Sequence, residues 1–566
     1  MLSRPALDRH SEALITSGLA LLSILFTVVC VSCLHVRYLV NDDTGIIGFV
    51  TGGYPVPYIG ILFSSLLHLA YMAAPGIAWF GLALYALLTL SLFLWLRLVW
   101  RVFKTWWLAA ACSLAVLGYY LAFIVFLDFT ATSIMLCMAG ISWACLQILE
   151  RKPGWVYMLG PGFVFVLGIL VRPQAALGTL AYALPIALIA IAASFRGRSW
   201  KHEAGRVALV GLVFFAPAIL DIGMDGVWRH ITLTPQEAQY EAFINAAGGL
   251  DHLSMARRGE IVGVAGLLES AHMPLPAYQH FLRWQFLDER IYTPEAIQTL
   301  LLGAPLAKIT AVKLENLISS QLPPRSVVFW LLIASIPLFL IAVTNRPAEG
   351  AIGLLIPVYY VALTVFMYFE YAFVYRLDMP FEIGLGFSAL LMGASLTSSA
   401  KSISSGYRLS LACLSIGVAL VGASFAVRSV LDEQPHAAGV TARLQAELRI
   451  LNEDYANSVI LIAPHALDLN ALSPLTPIDM RFQPINLGWN TFSPRFYRQI
   501  GALGIQHGYE LMDILIDRPN AYILGNRGWC EAMLVYVSGY PQRKIDVTPA
   551  SAEKLPLYRL TEESKP

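Results

Sequence analysis

The sequence predicts an α-helical polytopic membrane protein with about eleven transmembrane helices and a small α/β domain at its C-terminal end. Of the 566 residues, 57% are hydrophobic and 13% are charged, with a mean hydropathy of +0.64, whereas soluble domains carry about 25% charged residues. Long apolar runs recur through residues 1–427, and basic residues collect at alternate ends of these runs. This composition excludes a soluble enzyme, a disordered chain and a nucleic-acid-binding protein that depends on a basic surface.

Eleven apolar runs approach or exceed the ~20 residues that a membrane-spanning helix needs. They cover residues 13–34, 76–96, 106–127, 130–149, 155–171, 174–195, 207–224, 327–344, 351–369, 379–396 and 409–427. A shorter apolar run at 58–72 carries small and polar residues, including His68, on one face. We therefore predict that it forms a helix lying in the membrane interface.

The basic residues predict the orientation of these spans, because short cytoplasmic loops are enriched in Lys and Arg. With the N-terminus inside, fourteen basic residues are cytoplasmic and three lie in short outer loops. The cytoplasmic set is Arg4, Arg9, Arg97, Arg101, Lys104, Arg151, Lys152, Arg196, Arg198, Lys201, Arg206, Arg346, Lys401 and Arg408, and the outer set is Arg37, Arg172 and Arg376. Treating 58–72 as a span would move most of the larger set outside, so eleven spans with the C-terminus outside are favoured.

This arrangement divides the chain into two domains. The transmembrane domain covers 1–427 and includes a first outer loop at 35–75 and a large outer loop at 225–325. In the outer domain at 428–566, helices are predicted at 441–452 and 528–537. Short β-rich runs lie at 458–463, 521–524, 543–547 and 557–560. Alternation of strands and helices is typical of a small α/β domain.

The first candidate site is Asn41-Asp42-Asp43, directly after the first span. Two adjacent carboxylates suit a general base that takes a proton from a hydroxyl, or a pair of metal ligands. The alternative is a solvated start of a loop. We favour a site, because the following chain returns to the interface and holds the carboxylates near the lipid headgroups.

Two arginines at outer helix ends are the second kind of candidate. Arg172 lies in the tight turn before residue 174, and Arg376 lies between Glu370 and Asp378. A guanidinium binds phosphate through paired hydrogen bonds. The alternative is an arginine that only extends its charge to the interface. We expect Arg172 and Arg376 to bind phosphate, with Glu370 and Asp378 as possible substrate contacts.

Asp128 and His68 are weaker candidates for substrate contacts. Asp128 lies in a turn between two spans, where a lone Asp is more often structural, and His68 lies on the polar face of the interfacial run. In the C-terminal region, Trp489, Asn490 and Arg495 are candidates for an acceptor groove, although surface packing is the simpler explanation of their pattern.

This layout resembles the GT-C superfamily of membrane glycosyltransferases. The matching features are an N-in first span, an acidic motif (Asp42-Asp43) that opens the first outer loop, an interfacial helix at 58–72, basic residues (Arg172, Arg376) at later outer helix ends, and an outer domain after the last span. The resemblance covers residues 1–427, and the C-terminal domain matches in position only. GT-C acidic motifs are often Asp-x-Asp, Asp-Glu or Glu-Asp, and here the two Asp residues are adjacent.

The resemblance implies a donor in which a sugar is linked to a polyprenyl phosphate, and an acceptor that is a glycan, a lipid or a protein. Asp43 or Asp42 would deprotonate the acceptor hydroxyl, and Arg172 or Arg376 would hold the donor phosphate. If a divalent cation such as Mg²⁺ or Mn²⁺ takes part, Asp42 and Asp43 would be its ligands. The expected location is a bacterial inner membrane and the expected process is synthesis of an envelope polysaccharide, glycolipid or glycoprotein, with membrane lipids but no nucleic acid as partners.

Two other functions fit the same layout. A flippase or exporter would move an intact lipid-linked saccharide, but the spans carry few ionisable residues away from their ends, and transporters usually place such groups near the bilayer midplane. An outer-face polymerase or ligase would also take sugars from lipid carriers, but it would not need an acidic first loop.

Overall fold

The computed structural model describes residues 9–103, 105–150, 156–196, 200–253, 255–305, 329–370, 375–398, 404–536, 545–550 and 555–562. Its first half consists of α1 (Arg9–Cys33), β1 (Arg37–Tyr38), α2 (Asn41–Gly52), α3 (Ile61–Ala73), α4 (Trp79–Val102), α5 (Trp106–Val125), β2 (Phe126–Leu127), α6 (Phe129–Leu149), α7 (Val156–Val171), α8 (Pro173–Phe195) and α9 (Trp200–Thr232). Short helices α10 (Pro235–Asp251), α11 (Met255–Ile261), α12 (Leu267–Ser270), α13 (Leu275–Phe281) and α14 (Pro294–Gly303) follow. The remaining membrane helices are α15 (Phe329–Asn345), α16 (Pro347–Glu370), α17 (Tyr375–Ser398) and α18 (Ser405–Asp454).

All eleven predicted spans coincide with helices. Within the part of the chain that the structure describes, nine helices are long and apolar enough to cross a membrane. The other two predicted spans, at 155–171 and 327–344, overlap the shorter apolar helices Val156–Val171 and Trp330–Asn345. The chain is therefore a helical multi-pass membrane protein.

The predicted interfacial run forms α3, which has 13 residues. At 1.5 Å per residue this helix is about 20 Å long, which is shorter than the ~30 Å hydrocarbon core of a bilayer. Its N-terminus is held by Asp225, whose Oδ1 accepts a hydrogen bond from the Ile61 N–H at 2.7 Å. The position of α3 is thus fixed by a residue of α9.

Two helices form the centre of the bundle. The spanning window of α6 is 83% buried and that of α17 is 89% buried, whereas the windows of α1 and α9 are 22% and 12% buried. Ser142 and Ser388 join the two central helices through a 2.6 Å hydrogen bond between their hydroxyls. The exposed surfaces of α1 and α9 are apolar, as expected for helices that face lipid.

A two-stranded parallel sheet lies at one end of this bundle. β1 pairs with β2 in the register Arg37 to Phe126 and Tyr38 to Leu127. Because α2 begins just after β1 and α6 begins just after β2, parallel pairing places the N-termini of these two helices side by side. The acidic motif lies in the first turn of α2. Residues 41–52, which lie within the predicted outer loop at 35–75, thus form a helix that was not predicted from the sequence.

After the last membrane helix, the chain forms β3 (Val459–Ile462), β4 (Gln483–Asn486), α19 (Pro494–Gly501), α20 (Leu511–Asp517), β5 (Ala521–Leu524), α21 (Arg527–Tyr536), β6 (Ile545–Pro549) and β7 (Leu557–Glu562). The strand order is β4-β3-β5-β7-β6, with β3, β4 and β5 parallel and β7 antiparallel to its neighbours. Strands were predicted in four of these places. The edge strand β4 was missed because it contains Pro484, which an edge position tolerates.

The predicted domain boundary at 427/428 lies inside α18, a single helix of 50 residues. At 1.5 Å per residue it is about 75 Å long, far more than a bilayer crossing requires. The predicted helix at 441–452 is its last part. One continuous helix therefore links the membrane part to the C-terminal sheet.

Candidate functional site

A cavity of about 680 Å³ lies between α2, the ends of α8 and α10, and the C-terminal sheet. Its polar wall combines carboxylates, guanidiniums, imidazoles and amides. The charged and imidazole-bearing lining residues are Asp42, Arg172, Asp251, His252, His465 and Arg495. Aromatic rings of Tyr58, Tyr71, Trp284 and Trp489 complete much of the remaining wall. A concave site with a few convergent polar groups is the usual form of a ligand-binding site.

The two carboxylates of the acidic motif have different surroundings. Asp42 lines the cavity. Asp43 is fully buried, and its Oδ1 lies 3.4 Å from the backbone nitrogen of Phe129 in the first turn of α6. Asp42 is therefore the carboxylate of the motif that lines the cavity, and Asp43 is not part of the cavity wall. Both carboxylates occupy the first turn of α2, where negative charge is favourable to the helix dipole.

Asp128 is the N-cap of α6. Its Oδ1 accepts a hydrogen bond from the Ala131 N–H at 2.7 Å, and the side chain is buried. An N-cap Asp satisfies backbone donors that the helix itself leaves unpaired. Asp128 is not among the residues that line the cavity, so its observed role is structural.

Arg172 lines the cavity and is only 7% exposed. Its Nη1 donates to the Thr130 hydroxyl, and its guanidinium lies 4.7 Å from the centre of the Phe129 ring. Asp43 and Arg172 thus contact neighbouring residues in the first turn of α6. The structure brings together Asp42, Arg172 and this turn, although they come from three separate parts of the chain.

The C-terminal sheet contacts α2 through two glycines one helical turn apart. The Trp489 indole packs directly on Gly45, and the Arg495 guanidinium packs directly on Gly48, so a methyl group at either glycine would overlap these side chains. Trp489 also stacks on Phe49 with ring centres 4.9 Å apart. Absence of a side chain at positions 45 and 48 is therefore what allows the C-terminal sheet to approach the acidic helix.

The hydroxyl of Tyr240 on α10 donates to the Trp489 carbonyl at 2.7 Å. Complete burial raises the pKa of Tyr240 well above its ordinary value. This tyrosine therefore stays neutral and acts as a hydrogen-bond donor. Residues 489 and 495, which the sequence suggested for an acceptor groove, lie in the same cavity wall as Asp42.

Burial also affects the cationic side of the cavity. It lowers the pKa of Arg495, and only Tyr54 acts in the opposite direction. At neutral pH an arginine remains charged, because its unperturbed pKa is far above 7. Tyr38, next to the acidic motif, has its pKa raised well above the ordinary value by burial and secondarily by the Asp43 charge.

Several predicted site residues lie elsewhere. The Nδ1 atom of His68 is 2.8 Å from the Val50 carbonyl oxygen at the C-terminal end of α2. Glu370 forms an ion pair with Arg257 at 3.0 Å. Neither lines the cavity. The side chains of Arg376 and Asp378 are outside the part of the chain whose side chains the structure describes.

No group of three or more His, Cys, Asp or Glu residues suited to a metal ion occurs among the described residues. Asp42 faces the cavity whereas Asp43 is buried against α6, so the two carboxylates do not present a common pair of ligands. Among the described residues, the two motif carboxylates therefore do not fit the Mg²⁺ or Mn²⁺ site that the acidic motif suggested, and no reaction step is assigned to a metal.

Sequence reasoning missed Gly45, Gly48, His252 and His465. The glycines did carry a signal, because spacings of three and four residues place positions 45, 48 and 52 on one face of a helix. The glycine spacing indicates a shared helix face only if residues 41–52 are assumed to form a helix. Nothing in the local sequence around His252 or His465 indicates that they share a cavity.

No protein-family model matches this chain, and no curated protein matches it. The fold and the apolar helices define it as a multi-pass helical membrane protein. The described residues form a cavity of mixed polar and apolar lining between the membrane helices and the C-terminal region that contains the mixed sheet.

Proposed function

We propose that this protein is an integral-membrane glycosyltransferase that moves a sugar from a polyprenyl-phosphate donor to a glycan, lipid or protein acceptor. The observation that carries the proposal is that Asp42, Arg172 and Arg495 line one cavity between membrane helices and the C-terminal region. A lipid-linked donor explains why the site adjoins a membrane bundle, and the guanidiniums suit its phosphate.

In the proposed reaction, the Asp42 carboxylate takes the proton of an acceptor hydroxyl. The hydroxyl oxygen forms a bond to the anomeric carbon as the bond from that carbon to the phosphate oxygen breaks. The polyprenyl phosphate leaves with the bonding electron pair, and Arg172 compensates its negative charge. A single displacement inverts the anomeric configuration. Asp43 positions α2 against α6 and does not touch the substrate.

The proposal includes an arrangement in the membrane. Eleven spans, with α7 and α15 as the two short ones, put the N-terminus inside and the cavity and C-terminal sheet outside. The basic residues of the short loops support this orientation. We infer a bacterial inner membrane and a role in making an envelope polysaccharide, glycolipid or glycoprotein.

Mass spectrometry of membrane lipids tests this function in cells that lack the protein. The cells are complemented with wild type, with Asp42→Asn, or with the control Asp432→Asn, whose exposed carboxylate lies on α18 and pairs with the exposed Arg428 at 3.5 Å. We expect a polyprenyl-phosphate sugar to accumulate in the null strain and with Asp42→Asn, but not with wild type or the control.

The second arm uses purified protein in lipid nanodiscs and that donor. Loss of a general base lowers rates by about 100- to 10,000-fold, so Asp42→Asn should show a loss in this range with unchanged Tm. Identical lipid pools in every strain would overturn the proposed donor. Passage of intact lipid-linked sugar across vesicles without product formation would instead identify an exporter.

A further inference from the structure

The cavity has a cationic group, the Arg495 guanidinium, for which the described part of the chain supplies no counter-ion. Arg495 lines the cavity, and its guanidinium packs on Gly48 of α2. Among the residues that the structure describes, none forms a hydrogen bond or an ion pair with Arg495. Arg229, another largely buried arginine, differs because its charge is compensated: it forms ion pairs with Asp225 and Glu241, each at 2.7 Å.

A largely buried guanidinium with no counter-ion among the described residues is electrostatically unfavourable. A half-buried charge loses hydration, and this cost is offset only by a partner of opposite charge. Arg495 is also in the first turn of α19 (Pro494–Gly501), where the helix dipole disfavours a cation. An anion bound at this place would relieve both costs together.

We propose that Arg495 binds an oxyanion of the substrate, a phosphate or a carboxylate, and that helix α19 of the C-terminal region thereby contributes a recognition residue to the membrane site. A planar guanidinium with several N–H donors and no acceptor matches such a group. The identity of the substrate rests on the proposed glycosyl transfer, whereas anion binding at Arg495 does not depend on it.

Arg495 and Asp42 lie near the same helix, because the Arg495 guanidinium packs on Gly48 of α2 and Asp42 is in the first turn of α2. Residues 42 and 48 are six positions apart on α2, which corresponds to about 9 Å along the helix axis. Because Asp42 and Arg495 line the same cavity, a substrate that fills this cavity would contact both residues. The oxyanion belongs either to the lipid phosphate of the donor or to an acidic sugar of the acceptor.

Binding to the full-length protein in neutral-lipid nanodiscs tests the proposal. The probes are farnesyl phosphate, D-glucuronate and inorganic phosphate, with uncharged farnesol as a control, and the affinity is measured by microscale thermophoresis. The variants are Arg495→Gln, Arg495→Lys and the control Arg498→Gln. Arg498 lies on the same helix, is exposed and does not line the cavity.

We expect wild type to bind at least one anionic probe more tightly than farnesol. Arg495→Gln should weaken that binding by about 10- to 100-fold, because a hydrogen bond to a charged group contributes this much. Arg495→Lys should keep part of the affinity even if the Gln variant folds poorly, and Arg498→Gln should match wild type. Preference for farnesyl phosphate assigns the site to the donor, and preference for glucuronate assigns it to an acidic acceptor.

Equal anion affinities in wild type and Arg495→Gln, or no binding of any anion by wild type at millimolar concentration, would overturn the inference. Both results are independent of the glycosyl-transfer assay. If the anion binds through Arg495 but no sugar is transferred, the proposed function fails and the anion site stands. If sugar transfer occurs at the wild-type rate in Arg495→Gln with unchanged KM, the anion site fails and the function stands.

Discussion

The Asp43 carboxylate lies 3.4 Å from the backbone nitrogen of Phe129, so the acidic motif of α2 contacts the first turn of a central membrane helix. This contact spans 86 positions in the chain. It depends on the parallel pairing of β1 with β2, which brings the two helix starts together. One carboxylate of the motif is thereby used for structure, and its neighbour Asp42 faces the cavity.

Replacement of Asp43 by Ala should destabilise the protein, because it removes a buried acceptor and leaves the Phe129 N–H without that acceptor. Loss of a buried hydrogen bond to a charged group costs about 1–3 kcal/mol. We expect a larger loss of Tm for Asp43→Ala than for Asp42→Ala, measured by thermal unfolding in detergent. Equal Tm losses in both variants would show that the two carboxylates are structurally equivalent.

Substitution of Gly48 by Ala should separate α2 from the C-terminal sheet. The added methyl group would overlap the Arg495 guanidinium, and overpacking of this kind typically costs about 1–3 kcal/mol. Limited proteolysis should cut the region after Asp454 faster in Gly48→Ala than in wild type. Gly18→Ala is the matched control, since a methyl group added at that helical glycine would meet no atom of another element within 4 Å. Unaltered cleavage in Gly48→Ala would argue against close packing at this contact.

Arg229 holds the segment before α3. Besides its two carboxylate partners, its Nη2 donates to the Val56 and Ile59 carbonyls at 3.2 and 2.9 Å. Removing one partner of a largely buried ion pair costs about 3–5 kcal/mol. We expect Arg229→Ala to lower the Tm strongly and to speed amide hydrogen exchange in residues 54–60.

We expect the Arg229→Lys variant to show the same fast amide hydrogen exchange in residues 54–60, because an ammonium group cannot form the several directed hydrogen bonds of a guanidinium. The control is Arg428→Ala, which removes an exposed i,i+4 pair with Asp432. Such surface pairs contribute about 0–1 kcal/mol. If Arg229→Lys exchanges as slowly as wild type in residues 54–60, charge alone accounts for the contact.

His280 should make the protein sensitive to mild acid. Burial lowers its pKa below the ordinary value, with a partly opposing hydrogen bond to Gln285 and a smaller lowering effect of Arg283. The unfolded chain therefore binds a proton as the pH falls below about 6.5 while the folded protein does not. Stability is complete above this pH and decreases below it, until the folded state also protonates.

Protonation of His280 can lower the free energy of unfolding by at most about 1.4 kcal/mol per pH unit. Thermal unfolding between pH 7.5 and 5 should therefore show a smaller loss of Tm in His280→Gln than in wild type. The surface variant His436→Gln is the control, since His436 is exposed on α18. An identical pH profile for wild type and His280→Gln would contradict this assignment.

The membrane helices were predictable because their apolar length is a local property. The helix α2 was not, because Gly45, Gly48 and Gly52 give residues 41–52 a weak intrinsic helix propensity. This helix is stabilised by tertiary packing against Trp489 and Arg495. The contact of His68 was not predictable for the same reason. Its partner, the Val50 carbonyl oxygen, is brought within reach only when residues 41–52 are helical.

Composition and periodicity alone determined that this chain is a helical multi-pass membrane protein, because burial of apolar runs in lipid requires only their length and hydrophobicity. Only the tertiary structure decided which residues share the cavity. Adjacent residues on a helix differ in direction by about 100°, so Asp42 and Asp43 could not be told apart before α2 was placed. The contact of Arg495 with Gly48 joins residues that are far apart in the sequence. A pattern within a few neighbouring residues cannot predict such a contact.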